Sequence, residues 1–364
     1  MKDRPKNERY QKILKILAVI FIIDAILFVF LTTESPVVAT AYHPEPAMEL
    51  EGALAVNEDL RSTEILAEGE LIGPEDVAVD SEGRIYGGTE DGKIVRLQSD
   101  GSGLEVFAET GGRPLGLHFD AAGNLLVADA AKGLLSVDTE GAVTLLTDSA
   151  EDLPFKFTDD LDIASDGRVY FSDASHLHDH HHYLYDLLES EPRGRLLRWD
   201  PATAETEMLL DELYFANGIA LSQDESFVLI NETYRYRIRR YWLAGPNAGT
   251  SDIFIDRLPG FPDGVSANRR GTFWVALFTV RNPLMDRMHP YPFAKESVAK
   301  LPKALWPKPE PYGLVLALDE NGQVVRSLHD PGGKTVQQIT SVEEVDGHLY
   351  LGTLHQEWMG RLKH

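Results

Sequence analysis

Residues 157–175 read FTDDLDIASDGRVYFSDAS and predict two short strands joined by a tight turn. Apolar residues alternate with smaller or polar ones on both sides of a Ser-Asp-Gly turn, namely Leu161, Ile163, Val169 and Phe171. Asp159 stands eight positions before Gly167, the glycine of this turn. The spacing identifies further copies of the same unit elsewhere in the chain.

Five more segments repeat this strand–turn–strand pattern without gaps. We call the position eight residues before the turn residue the column, and its members are Glu75, Leu115, Asp159, Asn217, Asp263 and Ile339. Four of the six members carry a side-chain oxygen, and none carries a positive charge. A shared register with shared chemistry indicates a repeat fold in which these side chains meet.

Each copy continues into a third strand, and five copies continue into a fourth. Four strands repeated at intervals of about 40 residues are typical of β-propeller blades. The sixth copy ends at His364 without a fourth strand, whereas residues 62–70, STEILAEGE, have the form of the closing strands. We therefore expect an all-β, six-bladed propeller over residues 61–364, closed by residues 62–70, because an open edge invites aggregation.

Strand direction predicts which loops lie near the column. Strands alternate up and down within a blade, so the column and the hairpins between second and third strands share one face. These hairpins are tight in most copies but long at residues 176–193 and 281–312. Long loops in compact domains are usually functional or disordered, and we expect both insertions to overhang the column.

Residues at one register of a propeller converge on its axis. Glu75, Asp159, Asn217 and Asp263 would then form a ring of oxygens, and three carboxylates together require a proton or a cation. Oxygen ligands without His or Cys favour Ca²⁺ over Zn²⁺. The simpler alternative is that acids before strands cap turns. Four such residues at one register favour the calcium site.

An unpaired carboxylate beside such a cation can accept the proton of an attacking water. We predict Asp263 as this base, because column residues face the axis. Asp160 is the second candidate, although strand alternation points it away from the axis, where it would only cap the strand. The histidines between His176 and His182 are interpreted as part of a flexible lid, with a metal site or a pH-responsive lid as alternatives.

Composition excludes several classes of function. The chain of 364 residues carries a net charge of −24, which repels nucleic acid and anionic lipid, although solubility is the simplest interpretation of such a charge. It contains no cysteine, so disulfides and thiolate metal sites are excluded. The nucleophile pattern GxSxG is also absent, so a serine-esterase mechanism has no support.

The N-terminus predicts a membrane anchor. Residues 13–33 are almost continuously apolar and long enough for a transmembrane helix, although Asp24 is costly in a bilayer. The basic residues 1–12 would stay cytoplasmic under the positive-inside rule, with the propeller on the extracytoplasmic side after a stalk at residues 34–60. The alternative is a signal peptide cleaved near the Ala-Thr-Ala sequence at residues 39–41.

Several motifs resemble the strictosidine synthase-like family, in particular its adipocyte plasma membrane-associated group. They include GPED at 73–76, GRPLG at 112–116, ANGIALS at 216–222, PGFPDG at 259–264 and DGHLYLGTL at 346–354. More distantly, the pattern is similar to the calcium-dependent paraoxonases, gluconolactonases and organophosphate hydrolases. The resemblance implies hydrolysis of an ester or lactone, with calcium ligands at Glu75, Asp159, Asn217 and Asp263.

The sequence departs from these relatives at several positions, and two of them bear most directly on the reaction. Asp159 stands where they usually have Asn, which adds a negative charge. Thr340 stands where the strictosidine synthases have the Glu that acts as base, so the resemblance does not carry their carbon–nitrogen condensation. Our first hypothesis is a membrane-anchored, Ca²⁺-dependent hydrolase of small-molecule esters or lactones. A non-catalytic propeller with structural calcium that binds a small molecule or partner is second, and a synthase is third.

Overall fold

Six four-stranded antiparallel sheets follow one another along the chain and form the blades of a β-propeller. The computed structural model describes residues 4–364, and the side chains of residues 4–9, 23, 25–27 and 29 lie outside its description. The first strands of successive blades contact one another in a closed cycle. The predicted six-bladed, all-β architecture is therefore confirmed.

The strands run antiparallel to their neighbours within each sheet. Strand β1 (Glu64–Leu66) precedes the blades in sequence. Blade one comprises β2 (Val77–Val79), β3 (Ile85–Gly88), β4 (Lys93–Leu97) and β5 (Glu105–Glu109). Blade two comprises β6 (Pro114–Phe119), β7 (Leu125–Asp129), β8 (Gly133–Val137) and β9 (Val143–Thr147). A short ribbon of β10 (Ser149–Ala150) and β11 (Leu153–Pro154) leads to blade three.

The remaining blades follow the same plan. Blade three comprises β12 (Thr158–Ile163), β13 (Val169–Asp173), β14 (Gly194–Asp200) and β15 (Glu205–Leu213). Blade four comprises β16 (Ala216–Leu221), β17 (Phe227–Glu232), β18 (Arg237–Trp242) and β19 (Ser251–Ile255). Blade five comprises β20 (Gly260–Ala267), β21 (Thr272–Val280), β22 (Tyr312–Asp319) and β23 (Val324–Pro331). Blade six comprises β24 (Ile339–Val345), β25 (His348–Thr353), β26 (Met359–Lys363) and β1.

Helical elements lie outside the blades. They are α1 (Arg4–Thr32), α2 (Tyr183–Glu189), α3 (Pro283–Met288), α4 (Pro292–Ala299) and four 3₁₀ segments at Gly52–Leu54, Asp59–Ser62, Thr233–Arg235 and Lys303–Leu305. Helix α2 lies in the blade-three insertion, and α3 and α4 lie in the blade-five insertion. The Asn282 side chain caps α3 by accepting hydrogen bonds from the backbone N–H groups of Leu284 and Met285.

The ring is closed by the strand that the sequence predicted. Strand β1 pairs antiparallel with β26, with Ile65 opposite Gly360 and Leu66 opposite Met359. The Leu66 side chain is buried in a cluster that includes Val77 of blade one and Met359 of blade six. Closure therefore joins the first and last blades by backbone pairing and by a shared apolar core.

The two insertions pack together to form a cap. Leu188 of the blade-three insertion shares an apolar cluster with Met285, Ala299 and Trp306 of the blade-five insertion. Val37, which precedes the propeller, is buried in the same cluster. Residues 34–60, expected to form a stalk, thus contact the folded domain along their length, and Leu54 and Leu60 are also buried against it.

The predicted transmembrane anchor at residues 13–33 is not supported. Within the part of the chain that the structure describes, no helix combines the length and the hydropathy that a membrane span requires. Helix α1 begins at Arg4 rather than at residue 13, and Lys15 and Asp24 interrupt its apolar sequence. Such charged groups are costly in a bilayer.

We expect Leu66→Ala to lower the free energy of unfolding by about 2–5 kcal/mol, the usual range for truncating a buried leucine. The loss should exceed that of Val106→Ala, because the Val106 side chain on β5 is 52% exposed. Chemical denaturation of both variants measures the difference. Equal losses would show that the β1 contact contributes little to ring closure.

Candidate functional site

The four oxygen-bearing column residues meet at the propeller axis. Asn217 donates a hydrogen bond through Nδ2 to Oδ1 of Asp263 at 2.8 Å. Glu75, Asp159 and Asn217 line one cavity along the axis. All four side chains are buried, with exposures of 3–7%. The apolar column members, Leu115 and Ile339, are buried too.

Burial and mutual repulsion govern the charge of this ring. Burial raises the pKa of Glu75 and of Asp159 well above their ordinary values, and repulsion from Asp263 raises both further. Burial also raises the pKa of Asp263 to about 7, against a smaller opposing effect of the Asn217 hydrogen bond. Oδ2 of Asp159 is buried without a hydrogen-bond partner. The charged form of these carboxyl groups is therefore disfavoured unless a cation compensates it, and a bound proton is the alternative.

Arg113 is the nearest cation that acts on this ring. Its positive charge lowers the pKa values of Glu75 and Asp159, but this effect is smaller than those of burial and of the neighbouring carboxylates, which raise them. The guanidinium is 4% exposed, forms no ion pair among the described residues, and leaves NH2 without a partner. Arg113 thus moderates the negative charge without occupying the ring.

The donor chemistry of the ring fits a hard cation such as Ca²⁺. Carboxylates and one amide converge there, and the unpartnered Oδ2 of Asp159 is an available oxygen. Across the described residues, however, no three His, Cys, Asp or Glu side chains stand at the spacing of an assembled metal site. Like charges hold the carboxylates apart unless a cation draws them together.

Asp160 occupies a different position from the column residues. Its Oδ1 accepts the N–H of Leu161 and its Oδ2 accepts the N–H of Ile219 in the next blade, both at 2.8 Å. A β-bulge between Thr158 and Leu161 interrupts the alternation on which the sequence argument relied, and Asp160 lines the axial cavity. Its contacts favour a role in joining blades, and its role as base stays a prediction.

Asp76 repeats the Asp160 arrangement between blades one and two. Its carboxylate accepts the N–H of Val77 at 2.7 Å and that of Leu117 at 2.8 Å. In blade two the position after the column is Gly116, whose Cβ would lie 2.7 Å from the Cα of Asp160. In blades one to four, aspartate and glycine alternate at the position after the column, which lets neighbouring first strands approach closely enough to share these hydrogen bonds.

Thr340 lies beside the ring, but its side chain contacts the backbone of Glu75 rather than a carboxyl group. The side chain is buried and donates through Oγ1 to the carbonyl oxygen of Glu75 at 2.6 Å. This contact fixes the start of blade one against blade six. An uncharged hydroxyl already committed to a carbonyl cannot serve as a base, in agreement with the sequence argument.

Three of the five histidines at residues 176–182 have local polar partners, whereas Nδ1 of His180 is buried without one. The Nε2 of His178 lies 3.0 Å from Oε2 of Glu189, and Nδ1 of His182 lies 2.8 Å from Oδ1 of Asp179. The Nδ1 of His176 lies 2.9 Å from the carbonyl oxygen of Arg193. These contacts order the blade-three insertion and give no support for a transition-metal site there.

Three residues near the ring escaped the sequence argument: Arg113, Tyr183 and His355. The Oη of Tyr183 lies 3.4 Å from Nε2 of His355. Burial, and to a smaller extent the charge of Asp263, raises the pKa of Tyr183 to about 12. Burial lowers the pKa of His355, so its imidazole is neutral near pH 7. His355 lies in the short β25–β26 hairpin, where a closer reading of all six hairpins would have found it.

Aromatic side chains form an apolar wall next to the column. Phe157, Phe215, Tyr234 and Phe261 are buried in one cluster with Leu115, and Tyr183 packs against it. The Phe215 and Tyr234 rings stack with centroids 4.4 Å apart. Polar oxygens beside an aromatic wall are typical of sites for small, partly apolar molecules.

Comparison with known proteins identifies close relatives. The Strictosidine synthase family profile matches residues 159–246, and the Strictosidine synthase-like, N-terminal profile matches residues 52–97. The adipocyte plasma membrane-associated protein of Salmo salar is 38% identical over 369 residues, covering 93% of this chain and 86% of the relative. Protein STRICTOSIDINE SYNTHASE-LIKE 3 of Arabidopsis thaliana is 36% identical over 331 residues, covering 81% and 83%.

Solved structures share the fold at lower identity. A gluconolactonase from Xanthomonas campestris matches with a TM-score of 0.62 at 16% identity, covering 91% of this chain and 99% of the other. A calcium-binding protein, regucalcin, from Agrobacterium tumefaciens matches with a TM-score of 0.58 at 16% identity, covering 80% and 90%. At this identity the likeness establishes the propeller architecture.

The raised pKa of Asp263 predicts a pH dependence of stability in chelator-treated protein. Folding raises this pKa from 3.8 to about 7, so the stabilisation is complete below about pH 4 and is lost as pH rises through 7. The melting temperature should fall over this range. Asp263→Asn should flatten the fall, because the amide does not titrate, whereas Asp100→Asn at an exposed turn should not. An unchanged profile in Asp263→Asn would contradict the shift.

Proposed function

Since this chain belongs to the strictosidine synthase-like family, which includes the adipocyte plasma membrane-associated proteins, we propose that it is a Ca²⁺-dependent hydrolase of small esters or lactones. One observation carries the proposal: buried oxygens converge at the axis, and no ion pair among the described residues neutralises their carboxylates. The descriptions of the two solved structures, a gluconolactonase and a calcium-binding protein, support the same reaction class and cation.

The residues proposed to hold the cation are Glu75, Asp159, Asn217 and Asp263. The amide nitrogen of Asn217 is committed to Asp263, which leaves its amide oxygen as the donor atom for a cation. When bound, Ca²⁺ supplies polarisation of the substrate carbonyl and stabilises the charge that develops on its oxygen.

Asp263 is the proposed base. Its Oδ1 accepts the Asn217 hydrogen bond, so Oδ2 is the oxygen that takes the proton from water. Without a cation, burial raises the pKa of Asp263 to about 7, and the positive charge of Ca²⁺ would lower it, so the carboxylate would be ionised and able to accept a proton. The same carboxyl then returns the proton to the leaving alkoxide oxygen as the single bond between that oxygen and the carbonyl carbon breaks.

The surrounding residues orient the substrate and exclude water. Phe157, Phe215 and Tyr234 pack against one another beside the column and hold its surroundings rigid. Tyr183 is paired with the neutral His355, and this pair offers a hydrogen bond to a substrate oxygen. The cap limits access of bulk water, which strengthens every electrostatic interaction within the site.

We further propose that the protein associates with membranes. The adipocyte relatives are described as plasma membrane-associated. The described apolar side chains of α1 are also largely exposed, including Phe21 at 74% and Phe28 at 68%. Such a helix requires an apolar environment to cover it.

Glu75→Gln should weaken Ca²⁺ binding and lactone or aryl-ester hydrolysis together, because it removes one carboxylate from the ring. Isothermal calorimetry measures the first and a panel of aryl esters and lactones the second. Glu82→Gln, at an exposed side chain on the opposite face of blade one, is the matched control and should change neither. Ca²⁺ binding without turnover of any panel member would instead assign the cation a structural role in a binding protein.

Asp263→Asn should lower kcat at saturating Ca²⁺ by roughly 10²–10⁴-fold, the usual contribution of a general base. Ca²⁺ binding should weaken about as much as in Glu75→Gln, because each change removes one carboxylate from the ring. The pH–rate profile should lose the acidic limb that reports protonation of the base. His355→Gln is the comparison variant and should retain that limb. If His355→Gln loses the limb and Asp263→Asn retains it, the base is His355.

A further inference from the structure

The blade-five insertion differs in charge from the rest of the protein. Residues 281–312 carry a net charge of +3, whereas the whole chain carries −24. The exposed cations of this segment include Arg287, Lys303 and Lys308. A local positive patch on a strongly acidic protein directs that face toward anionic surfaces and turns the other faces away.

The outward side of the same insertion exposes large apolar side chains. Leu284, Tyr291, Phe293 and Leu305 have exposures of 54%, 65%, 68% and 66%. The inward side is packed: Met285, Ala299 and Trp306 are buried in the cap cluster. The exposed residues therefore do not result from loose folding, because each segment that carries them is anchored by a buried neighbour.

The insertion is continuous with the apolar N-terminal helix. Nζ of Lys300 lies 3.4 Å from the carbonyl oxygen of Phe30 at the end of α1, and 5.5 Å from the centroid of the Phe30 ring. Ser35 donates through Oγ to the carbonyl oxygen of Glu296 at 3.5 Å. The apolar surface of α1 and the exposed residues of the insertion are thus neighbours.

We propose that the outward face of residues 281–312 docks on the surface of an anionic lipid bilayer. Tyr291 and Phe293 enter the headgroup region, where aromatic side chains are favoured, and Arg287 and Lys308 contact the lipid phosphates. The mixture of aromatic, leucine and basic side chains, together with the adjoining α1, fits a lipid surface rather than an acidic protein partner.

Docking determines the orientation of the candidate site. The insertion joins the second and third strands of blade five, so it lies at the same face as Asp263. With this face on the lipid, the cap and Asp263 lie on the side of the propeller that is nearer the bilayer. The docking inference rests on the proposed membrane association and not on the proposed hydrolysis.

The absence of cysteine allows a site-specific test in the full chain. Phe293→Cys and the control Val106→Cys, both at exposed positions, are labelled with an environment-sensitive fluorophore and mixed with phosphatidylserine–phosphatidylcholine vesicles. Flotation first establishes whether the protein binds the vesicles. The label at position 293 should then shift to shorter wavelength and resist iodide quenching, whereas the label at position 106 should do neither. Matching melting temperatures confirm that both variants fold.

Charge variants provide an independent measurement. Arg287→Gln and Lys308→Gln should each weaken the vesicle-dependent response of the label about fivefold, as one basic residue contributes ~1 kcal/mol at an anionic surface. Lys363→Gln, at an exposed position opposite His348 on the other face of the propeller, is the matched control and should leave the response unchanged.

Three results would overturn the docking inference. If the protein floats with the vesicles but iodide still quenches the label at position 293, the protein binds lipid through another face. Equal shifts at positions 293 and 106 indicate non-specific adsorption. A label at position 293 that is shielded before vesicles are added indicates a protein partner or a second copy on this face. Failure to float overturns the proposed membrane association itself and leaves the hydrolase proposal untouched.

Discussion

The pairing of β1 with β26 is the constraint on which the rest of the structure depends. A column of side chains drawn from six blades converges only if the sixth blade returns to the first. The closing strand comes from the N-terminal end of the domain, so the segments most distant in sequence are held together directly. Thr340 and Glu75 add a hydrogen bond across the same seam, next to the axis.

Closure in turn permits an arrangement of charge that would otherwise be unstable. Glu75, Asp159 and Asp263 are buried together although their charges repel one another. Burial disfavours the charged form of each side chain and so raises its pKa. The energy that holds them in place comes from apolar packing between blades and from the backbone contacts of Asp76 and Asp160. The propeller therefore holds these three carboxyl groups where a bound proton or cation is needed to compensate their charge.

Much of the fold and part of the candidate site could be predicted from sequence, because both depend on repetition. The eight-residue register located the column, and the incomplete sixth copy located its closing strand. Features specific to one blade were not accessible in this way. The bulge beside Asp160 breaks strand alternation without a sequence signature, and His355 lies in a hairpin that the register argument did not examine. The burial of Val37 and Leu60 depends on tertiary partners that a proline-rich, acidic segment does not reveal.

The contacts of residues 39–42 have a consequence for proteolytic maturation. The N–H of Thr40 donates to the carbonyl oxygen of Glu189, and its own carbonyl oxygen accepts from the buried Nζ of Lys295 at 2.6 Å. Tyr42 continues the attachment by donating its N–H to His289. A peptidase needs this backbone extended and free in its own cleft. The Ala-Thr-Ala sequence is therefore open to cleavage only while the nascent chain is unfolded, and the completed domain protects it.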